Sequence, residues 1–164
     1  MDALIKHVEQ AKELNLREIY AATEMLLSES VSDEKKVAFL RGLTAKGETA
    51  AEIAGFVEAF LERAVDPGVS EMNFSGPTID VCGTGGDKLN LFNVSTTSMF
   101  VIAAGGAVVV KHGNRGITSK SGGADVLEAL GVKIDVTPEV FRNCLEAAGV
   151  GFLFAPIYHP PFKA

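Results

Sequence analysis

Apolar residues in the first part of the chain recur at the spacing of amphipathic helices. Four groups of them each place a stripe on one face of a helix. The pattern predicts four helices within residues 1–65, and nearly all of each stripe is expected to be core. The stripe residues are Leu4, Ile5, Val8 and Ala11; Ile19, Ala22 and Leu26; Val37, Leu40 and Leu43; and Ile53, Val57, Phe60 and Leu61.

Short polar signals mark where these helices begin and end. Asn15 stands three residues before Glu18, and this is the spacing of a capping box. Thr49 and Glu52 repeat the pattern. Gly47 suits the left-handed conformation that commonly ends a helix. These signals support helix boundaries near Asn15, Gly47 and Thr49.

The pattern changes after a segment without periodicity, residues 66–77, which contains Asp66-Pro67-Gly68 and Gly76-Pro77 and is interpreted as a linker. From residue 78 short apolar runs alternate with helical patterns, which predicts a parallel sheet with crossover helices. The predicted strands are 78–82, 107–111 and 150–154, and the predicted helices are 95–104, 124–130 and 138–148.

The predicted fold class is therefore α/β, with an all-helical domain (1–65) followed by the start of a parallel-sheet α/β domain (78–164). The first strand is expected to be buried. A sheet of so few strands is expected to leave an unpaired edge and exposed apolar surface, because parallel sheets are normally covered on both faces.

Composition narrows the classes of function. The 164 residues carry a formal net charge of −6, so no overall basic field favours nucleic acid. The apolar run 94–110 is interrupted by Gly105-Gly106 and is too short for a membrane span. Cys82 and Cys144 are too few for a disulfide framework, and no leader precedes the first helix. We expect a cytoplasmic protein whose thiols are inert packing residues.

Two polar stretches carry candidate chemistry. Gly83-Thr-Gly-Gly-Asp87 follows a predicted strand, and glycines there let backbone N–H groups approach a phosphate. Asn93-Val-Ser-Thr-Thr97 lies where the next helix should begin and adds hydroxyls and free N–H groups, and Ser95 could also ligate Mg²⁺. A simple tight turn and a simple helix cap are the alternatives.

A third stretch, residues 111–131, combines cations with glycines. Lys111 and Arg115 follow a predicted strand at the sheet end where ligands bind in open α/β folds. A solvated basic loop is the alternative interpretation. Because the three stretches lie at equivalent ends of strands or starts of helices, together they predict a site for several phosphate oxygens, and diphosphate fits best.

The motifs GTGGD, FNVST, KHGNR and SKSGGADVLEALG, in this order after a helical start, resemble the anthranilate phosphoribosyltransferases of tryptophan biosynthesis. The resemblance covers essentially the whole chain, as the amino-terminal half of the family sequence. It implies the nucleoside phosphorylase/phosphoribosyltransferase type of fold and a homodimer formed through the helical domain, so part of the apolar stripes would be interface. The implied substrates are 5-phosphoribosyl 1-diphosphate (PRPP) and anthranilate, with Mg²⁺ as cofactor.

The resemblance also implies roles for individual residues. Lys111 and Asp87 would be catalytic, and Ser95 would touch Mg²⁺. Asn114, His112 and His159 would contact anthranilate, although a packing or hydrogen-bonding imidazole explains either histidine equally well. The residues implied to hold PRPP are Gly83, Gly86, Asp87, Asn93, Ser95, Thr96, Lys111 and Ser119.

Three positions depart from the family pattern: Leu91, Gly116 and Gly123. Family members are also longer, so this chain is expected to be a fragment that is inactive alone. Two other classes of function stay open. A phosphosugar- or nucleotide-binding module would keep the loops without transferase activity, and a nucleic-acid-binding member of the same fold is disfavoured by the acidic charge.

Overall fold

A computed structural model describes residues 1–83, 92–116 and 121–160 of the chain. Contacts divide these residues into two compact units. The first consists of Met1–Ala64 and His159, and the second of Val65–Tyr158. The predicted domain boundaries remain a proposal. None of the helices in the described parts of the chain is long and apolar enough to cross a membrane.

The first unit is helical, with α1 (Asp2–Glu9), α2 (Leu16–Leu27), α3 (Asp33–Lys46) and α4 (Ala50–Leu61). Both predicted capping boxes are present: the Glu18 N–H donates to Asn15 Oδ1 at 3.0 Å, and the Glu52 N–H donates to Thr49 Oγ1 at 3.2 Å. Gly47 ends α3 with a positive φ of 82°. Local hydrogen bonding therefore sets the start of α2 and of α4.

The core of this unit lies between α1 and α3 and between α2 and α4. The predicted stripe on α4 was wrong as core, because Ile53, Val57 and Leu61 are exposed while Glu52, Gly55 and Ala59 are buried. A Cβ at Gly55 would lie 2.9 Å from Ile19 Cδ1, so the small-residue face of α4 is the one that lets α2 approach closely. On α3, likewise, Val37 and Leu40 are exposed. The core residues are Leu4, Val8, Leu14, Ile19, Ala22, Phe39 and Leu43.

The second unit is a parallel three-stranded sheet with helices, in the order β1-β2-β3. Register partners are Thr78 with Val108 and Val109 with Val150. This arrangement confirms the predicted fold class. The elements are a 3-10 turn (Val69–Glu71), β1 (Thr78–Ile79), α5 (Val94–Ala104), β2 (Val108–Gly113), α6 (Gly123–Ala129), α7 (Pro138–Ala148), β3 (Val150–Phe154) and α8 (Ala155–Tyr158).

Two expectations for this unit were wrong. The first strand is not buried, because β1 lies at one edge of the sheet and both Thr78 and Ile79 are exposed. Cys82 and Cys144 are exposed as well, so neither thiol is a packing residue. The buried strand is β2, whose Val108 and Val109 lie between the helices that pack on the sheet.

Candidate functional site

Lys111 is a buried cation near the carboxyl end of β2. Its side chain is only 2% exposed, and its ammonium donates to Val81 O and to Ser95 Oγ, each at 3.2 Å. Among the described residues no carboxylate lies within ion-pair distance of it. Burial lowers the pKa of Lys111, and the nearby Cys82 and Asp80 side chains oppose that effect. The site therefore offers a positive charge that only neutral oxygens contact.

The first turn of α5 lies against this lysine. Gly83 is close to Ser95, because a Cβ at position 83 would lie 3.5 Å from Ser95 Oγ. Thr96 is 1% exposed, and its Oγ1 has no hydrogen-bond partner within the parts of the chain that the structure describes. A buried hydroxyl without a partner is costly, and it is typical of a position that a ligand completes.

Gly123, at the start of α6, brings these groups together. A Cβ at this position would lie 2.9 Å from Thr96 Oγ1 and 3.6 Å from Lys111 Cε. The structure thus brings Gly83, Ser95, Thr96 and Lys111 of the predicted PRPP set into one cluster. Their sequence distance is large, and only the parallel sheet makes them neighbours.

Asn93 supports this cluster in a way that the sequence did not predict. It is the N-cap residue of α5, yet its side chain makes no capping bond. Its amide instead donates to Gly122 O at 3.1 Å and to Ser121 Oγ at 3.4 Å. The simple helix-cap alternative is therefore wrong for the Asn93 side chain, which ties the second stretch to the third.

His112, predicted to contact anthranilate, lies beside the residues that follow β1. Its backbone N–H donates to Asp80 Oδ1 at 3.2 Å, and its Nδ1 lies 3.9 Å from Cys82 Sγ. Asp80 and Cys82 were absent from the predicted site. They could have been found from their position, because both follow β1 at the sheet end that carries the other candidates.

Asn114 and Arg115 complete the carboxyl end of β2. Both residues are exposed, and Asn114 Oδ1 accepts a hydrogen bond from the Arg115 N–H at 2.8 Å. The Arg115 guanidinium pairs with Glu128 at 2.7 Å and lies 5.5 Å from the centre of the Phe154 ring. Arg115 is therefore not an uncommitted cation, and Lys111 is the better candidate for an anion.

Gly86, Asp87 and Ser119 lie outside the described residues, as does Leu91. His159 is described, but it belongs to the first unit. Their assigned roles stay predictions.

The described residues do not by themselves fit a Mg²⁺ site. Mg²⁺ is usually held by one or two carboxylates together with substrate phosphates. Across residues 1–83, 92–116 and 121–160 no group of three or more His, Cys, Asp or Glu side chains could hold a metal ion. Ser95 Oγ accepts one hydrogen bond, from the Lys111 ammonium, and its contact with Mg²⁺ stays a prediction.

Comparison with known proteins agrees with this fold. The helical bundle domain of the glycosyl transferase family matches residues 2–64, and the α/β domain of that family matches residues 75–164. The chain is 46% identical over 164 residues to an anthranilate phosphoribosyltransferase of Syntrophomonas wolfei, covering 99% of this chain and 46% of the relative.

Two solved structures of anthranilate phosphoribosyltransferases share the fold. The Thermus thermophilus protein matches with a TM-score of 0.79 and 37% identity, covering 98% of this chain and 47% of its own. The Saccharomyces cerevisiae protein, in complex with PRPP and Mg, matches with a TM-score of 0.76 and 25% identity, covering 99% and 49%.

The resemblance seen in the sequence motifs is therefore confirmed, and this chain spans about half the length of the relatives it matches. The family model for the α/β domain alone covers more than half of the chain and includes every residue of the lysine cluster. The chain belongs to the glycosyl transferase family that combines a helical bundle with this α/β domain.

Proposed function

We propose that this chain binds PRPP and takes part in anthranilate phosphoribosyl transfer. In that reaction the anthranilate nitrogen bonds to ribose C1, the bond from C1 to diphosphate breaks, and diphosphate leaves with the bonding electron pair. The amine proton is then lost. The support is the similarity to named anthranilate phosphoribosyltransferases together with the anion-binding character of the cluster around Lys111.

The observation that carries the proposal is the state of Lys111. A buried ammonium that contacts only neutral oxygens is costly to maintain in a folded protein. The neighbouring Thr96 hydroxyl adds a second unsatisfied group, and the first turn of α5 adds the positive end of a helix dipole. An entering diphosphate would satisfy all three, so we assign this cluster to the leaving group.

The main requirement of this reaction is to stabilise the negative charge that develops on the leaving diphosphate. As the C1–O bond breaks, negative charge grows on the diphosphate oxygens, and fixed cations and N–H groups stabilise it in the transition state. Lys111 supplies the charge, while Ser95 and Thr96 supply hydroxyls and N–H groups. No step proposed here depends on Mg²⁺, which would accompany the diphosphate as it accompanies PRPP in the yeast structure.

The finer assignments rest on the resemblance. Asp87 is proposed to act beside Lys111. Asn114, His112 and His159 are proposed to contact anthranilate. The full set proposed to hold PRPP is Gly83, Gly86, Asp87, Asn93, Ser95, Thr96, Lys111 and Ser119.

A homodimer through the helical unit is part of the proposal. Ile53, Val57 and Leu61 stand four residues apart on α4, share one face and are each more than half exposed. Isologous apolar faces of this kind are typical of homodimer interfaces. Val57→Asp should shift the chain toward monomer in sedimentation velocity, whereas Lys36→Asp on α3 should not. A monomeric unmodified chain would remove this part of the proposal.

The experiment that tests the function is calorimetric titration of the 164-residue chain with PRPP, with and without Mg²⁺, followed by an anthranilate fluorescence assay on the same sample. Ribose 5-phosphate, which lacks the diphosphate, is the control ligand. We expect PRPP to bind more tightly than ribose 5-phosphate. Binding without loss of anthranilate fluorescence would support an intact binding site on an incomplete enzyme, and no preference for PRPP would contradict the assigned site.

A further inference from the structure

Asp125 occupies a position that none of the assigned roles explains. It is the third residue of α6, and one carboxylate oxygen, Oδ2, accepts hydrogen bonds from two backbone N–H groups. The Gly122 N–H lies 2.6 Å from it and the Gly116 N–H lies 2.9 Å from it. One side chain therefore ties together the backbone at Gly116 and at Gly122.

The bond to Gly122 belongs to the capping of α6, but the bond to Gly116 does not. Gly116 follows β2, so Asp125 connects the start of a helix to the end of a strand. The two segments touch directly there, because a Cβ at Gly122 would lie 2.3 Å from Gly116 N and 2.7 Å from Asn114 O. The Ala124 N–H also donates to Asn114 O at 3.3 Å.

The connection continues to α5. Gly122 donates its N–H to Asp125, and its carbonyl accepts a hydrogen bond from the Asn93 side-chain amide at 3.1 Å. Asn93 is the N-cap of α5, and Ser95 and Thr96 follow it in the first turn. A continuous line of hydrogen bonds thus runs from the end of β2 through Asp125 and Gly122 to the helix that carries two of the candidate ligand groups.

We propose that Asp125 is a positioning residue, whose carboxylate fixes the end of β2 and the start of α5 relative to each other, and so sets the distance between Lys111 and the hydroxyls of Ser95 and Thr96. It touches no ligand in this role. The identity of the ligand rests on the proposed function, whereas the clamp itself does not.

The charges around Asp125 are consistent with this role. Hydrogen bonds from the Gly116 N–H and then the Gly122 N–H hold the pKa of Asp125 below its ordinary value, and burial opposes them weakly. Arg115, at the end of β2, lies near enough to add to the effect, and its own partner is Glu128 on α6. The carboxylate is thus ionised at neutral pH, and it accepts hydrogen bonds from backbone N–H groups.

The clamp predicts a spectroscopic signature that needs neither a ligand nor a variant. In ¹⁵N-resolved NMR of the 164-residue chain, the amide protons of Gly116 and Gly122 should move together as the pH falls, with one shared midpoint below 3.8. Amides that bond the same carboxylate must report the same protonation. Separate midpoints, or a Gly116 amide that does not respond, would overturn the proposal.

Substitution then tests the positioning. Asp125→Ala removes both bonds, and Asp125→Asn keeps an acceptor but not the charge. Asp135→Asn, at an exposed aspartate of the same unit for which no hydrogen bond is found in the described chain, is the matched control. We expect Asp125→Asn to abolish the shared titration and to shift the amide signals of Asn93, Ser95 and Thr96, and we expect Asp135→Asn to do neither.

Ligand affinity gives the second readout. PRPP should bind Asp125→Ala about tenfold more weakly, the lower end of the range found when a supporting contact behind ligand-binding residues is lost, with Asp125→Asn between it and the unmodified chain. Unchanged affinity in a folded Asp125→Ala chain would overturn the positioning role. If the unmodified chain does not bind PRPP, the proposed function fails, and the amide shifts alone decide on the clamp. If Asp125→Ala does not fold, Asp125→Asn serves for both readouts.

Discussion

Each unit of the molecule buries a charged side chain, and the two side chains differ in whether an oppositely charged group contacts them. Glu52 in the helical unit is completely buried, and its carboxylate accepts from the Leu14 N–H at 2.8 Å, the Thr49 N–H at 2.9 Å and the Lys46 ammonium at 2.6 Å. The Lys111 ammonium in the α/β unit donates to two neutral oxygens, those of Val81 and Ser95, and has no ion-pair partner among the described residues. The first arrangement contains its counter-ion, and the second is the one that we propose an anion completes.

Two buried threonines repeat this contrast. Thr23 in α2 donates its hydroxyl to Ile19 O at 3.0 Å, whereas the Thr96 hydroxyl in α5 has no partner in the described part of the chain. A buried polar group without a partner is unusual in folded proteins, and ligand binding is one explanation for it. Within the described residues the Tyr158 hydroxyl is also buried without a partner, so Thr96 is singled out by its position beside Lys111 as well as by its missing partner.

The largest effect on stability should come from removing the Glu52 carboxylate. Glu52→Ala leaves the buried Lys46 ammonium without its counter-ion and two backbone N–H groups without acceptors. We expect the free energy of unfolding to fall by about 3–5 kcal/mol, as for other broken buried pairs. Urea denaturation followed by circular dichroism measures it. Glu58→Ala, at an exposed position of the same helix, should stay within about 0.5 kcal/mol; similar losses in both variants would contradict the comparison.

Removing the Lys111 charge should weaken PRPP binding without lowering the free energy of unfolding. Lys111→Met keeps the length of the side chain but removes its charge, so we expect PRPP affinity to fall about 10- to 100-fold, the worth of a charge-assisted hydrogen bond. The free energy of unfolding should not fall, since the described residues include no ion-pair partner of Lys111 that the substitution would leave behind. Calorimetry and urea denaturation measure the two quantities, with the exposed Lys133→Met as the control. Unchanged PRPP affinity would remove Lys111 from the site.

The threonine pair gives a smaller effect with a predicted change of sign. Thr96→Val removes a buried hydroxyl without a partner and should raise the free energy of unfolding by about 1 kcal/mol. Thr23→Val removes a hydroxyl that is bonded and should lower it by about 0.5–1 kcal/mol. Thermal and urea unfolding of the two variants are compared directly. Equal signs would show that the Thr96 hydroxyl has no special status.

The smallest expected effect is on how the free energy of unfolding depends on pH in acid. Burial alone would raise the pKa of Glu52, but its bonds from Leu14, Lys46 and Thr49 hold the pKa below the ordinary 4.5. A lowered folded-state pKa means that this contribution to stability is present above pH 4.5 and is lost as the pH falls below it. The slope of unfolding free energy against pH below 4.5 should therefore shrink in Glu52→Gln and persist in Lys111→Met.

Local signals in the sequence predicted the structure best where one residue decides the outcome. The helix 138–148 and the strand 150–154 were predicted with the bounds that the structure has, because Pro138 begins the helix and Gly149 ends it with a left-handed φ of 66°. The capping boxes at Asn15 and Thr49 were also predicted from residues three positions apart. In each case a side chain or a φ preference fixes the boundary without help from the rest of the fold.

Prediction failed where packing had to choose between alternatives. On α4 both faces are apolar, one with Ile53, Val57 and Leu61 and the other with Gly55 and Ala59, and hydrophobicity favours the wrong one. Close approach of α2 selected the small residues instead. For the site, the glycine-rich motifs predicted Lys111 and its neighbours, but they could not show that Asn93 reaches Gly122 or that Asp125 ties Gly116, since these contacts depend on which strands become adjacent.

The parallel pairing of β1, β2 and β3 also has a consequence for the time in which the chain acquires its structure. Every pair of neighbouring strands joins segments separated by a helix or more of intervening chain, so closing the sheet requires long loops before any pairing is gained. The helical unit also packs elements that are separated by an intervening helix, α1 with α3 and α2 with α4. Folding rates fall as contacts become less local. Both the scaffold that holds Glu52 and the cluster around Lys111 should therefore form only when segments well apart in the chain come together, because Glu52 is bonded to Leu14 and Lys111 to Val81.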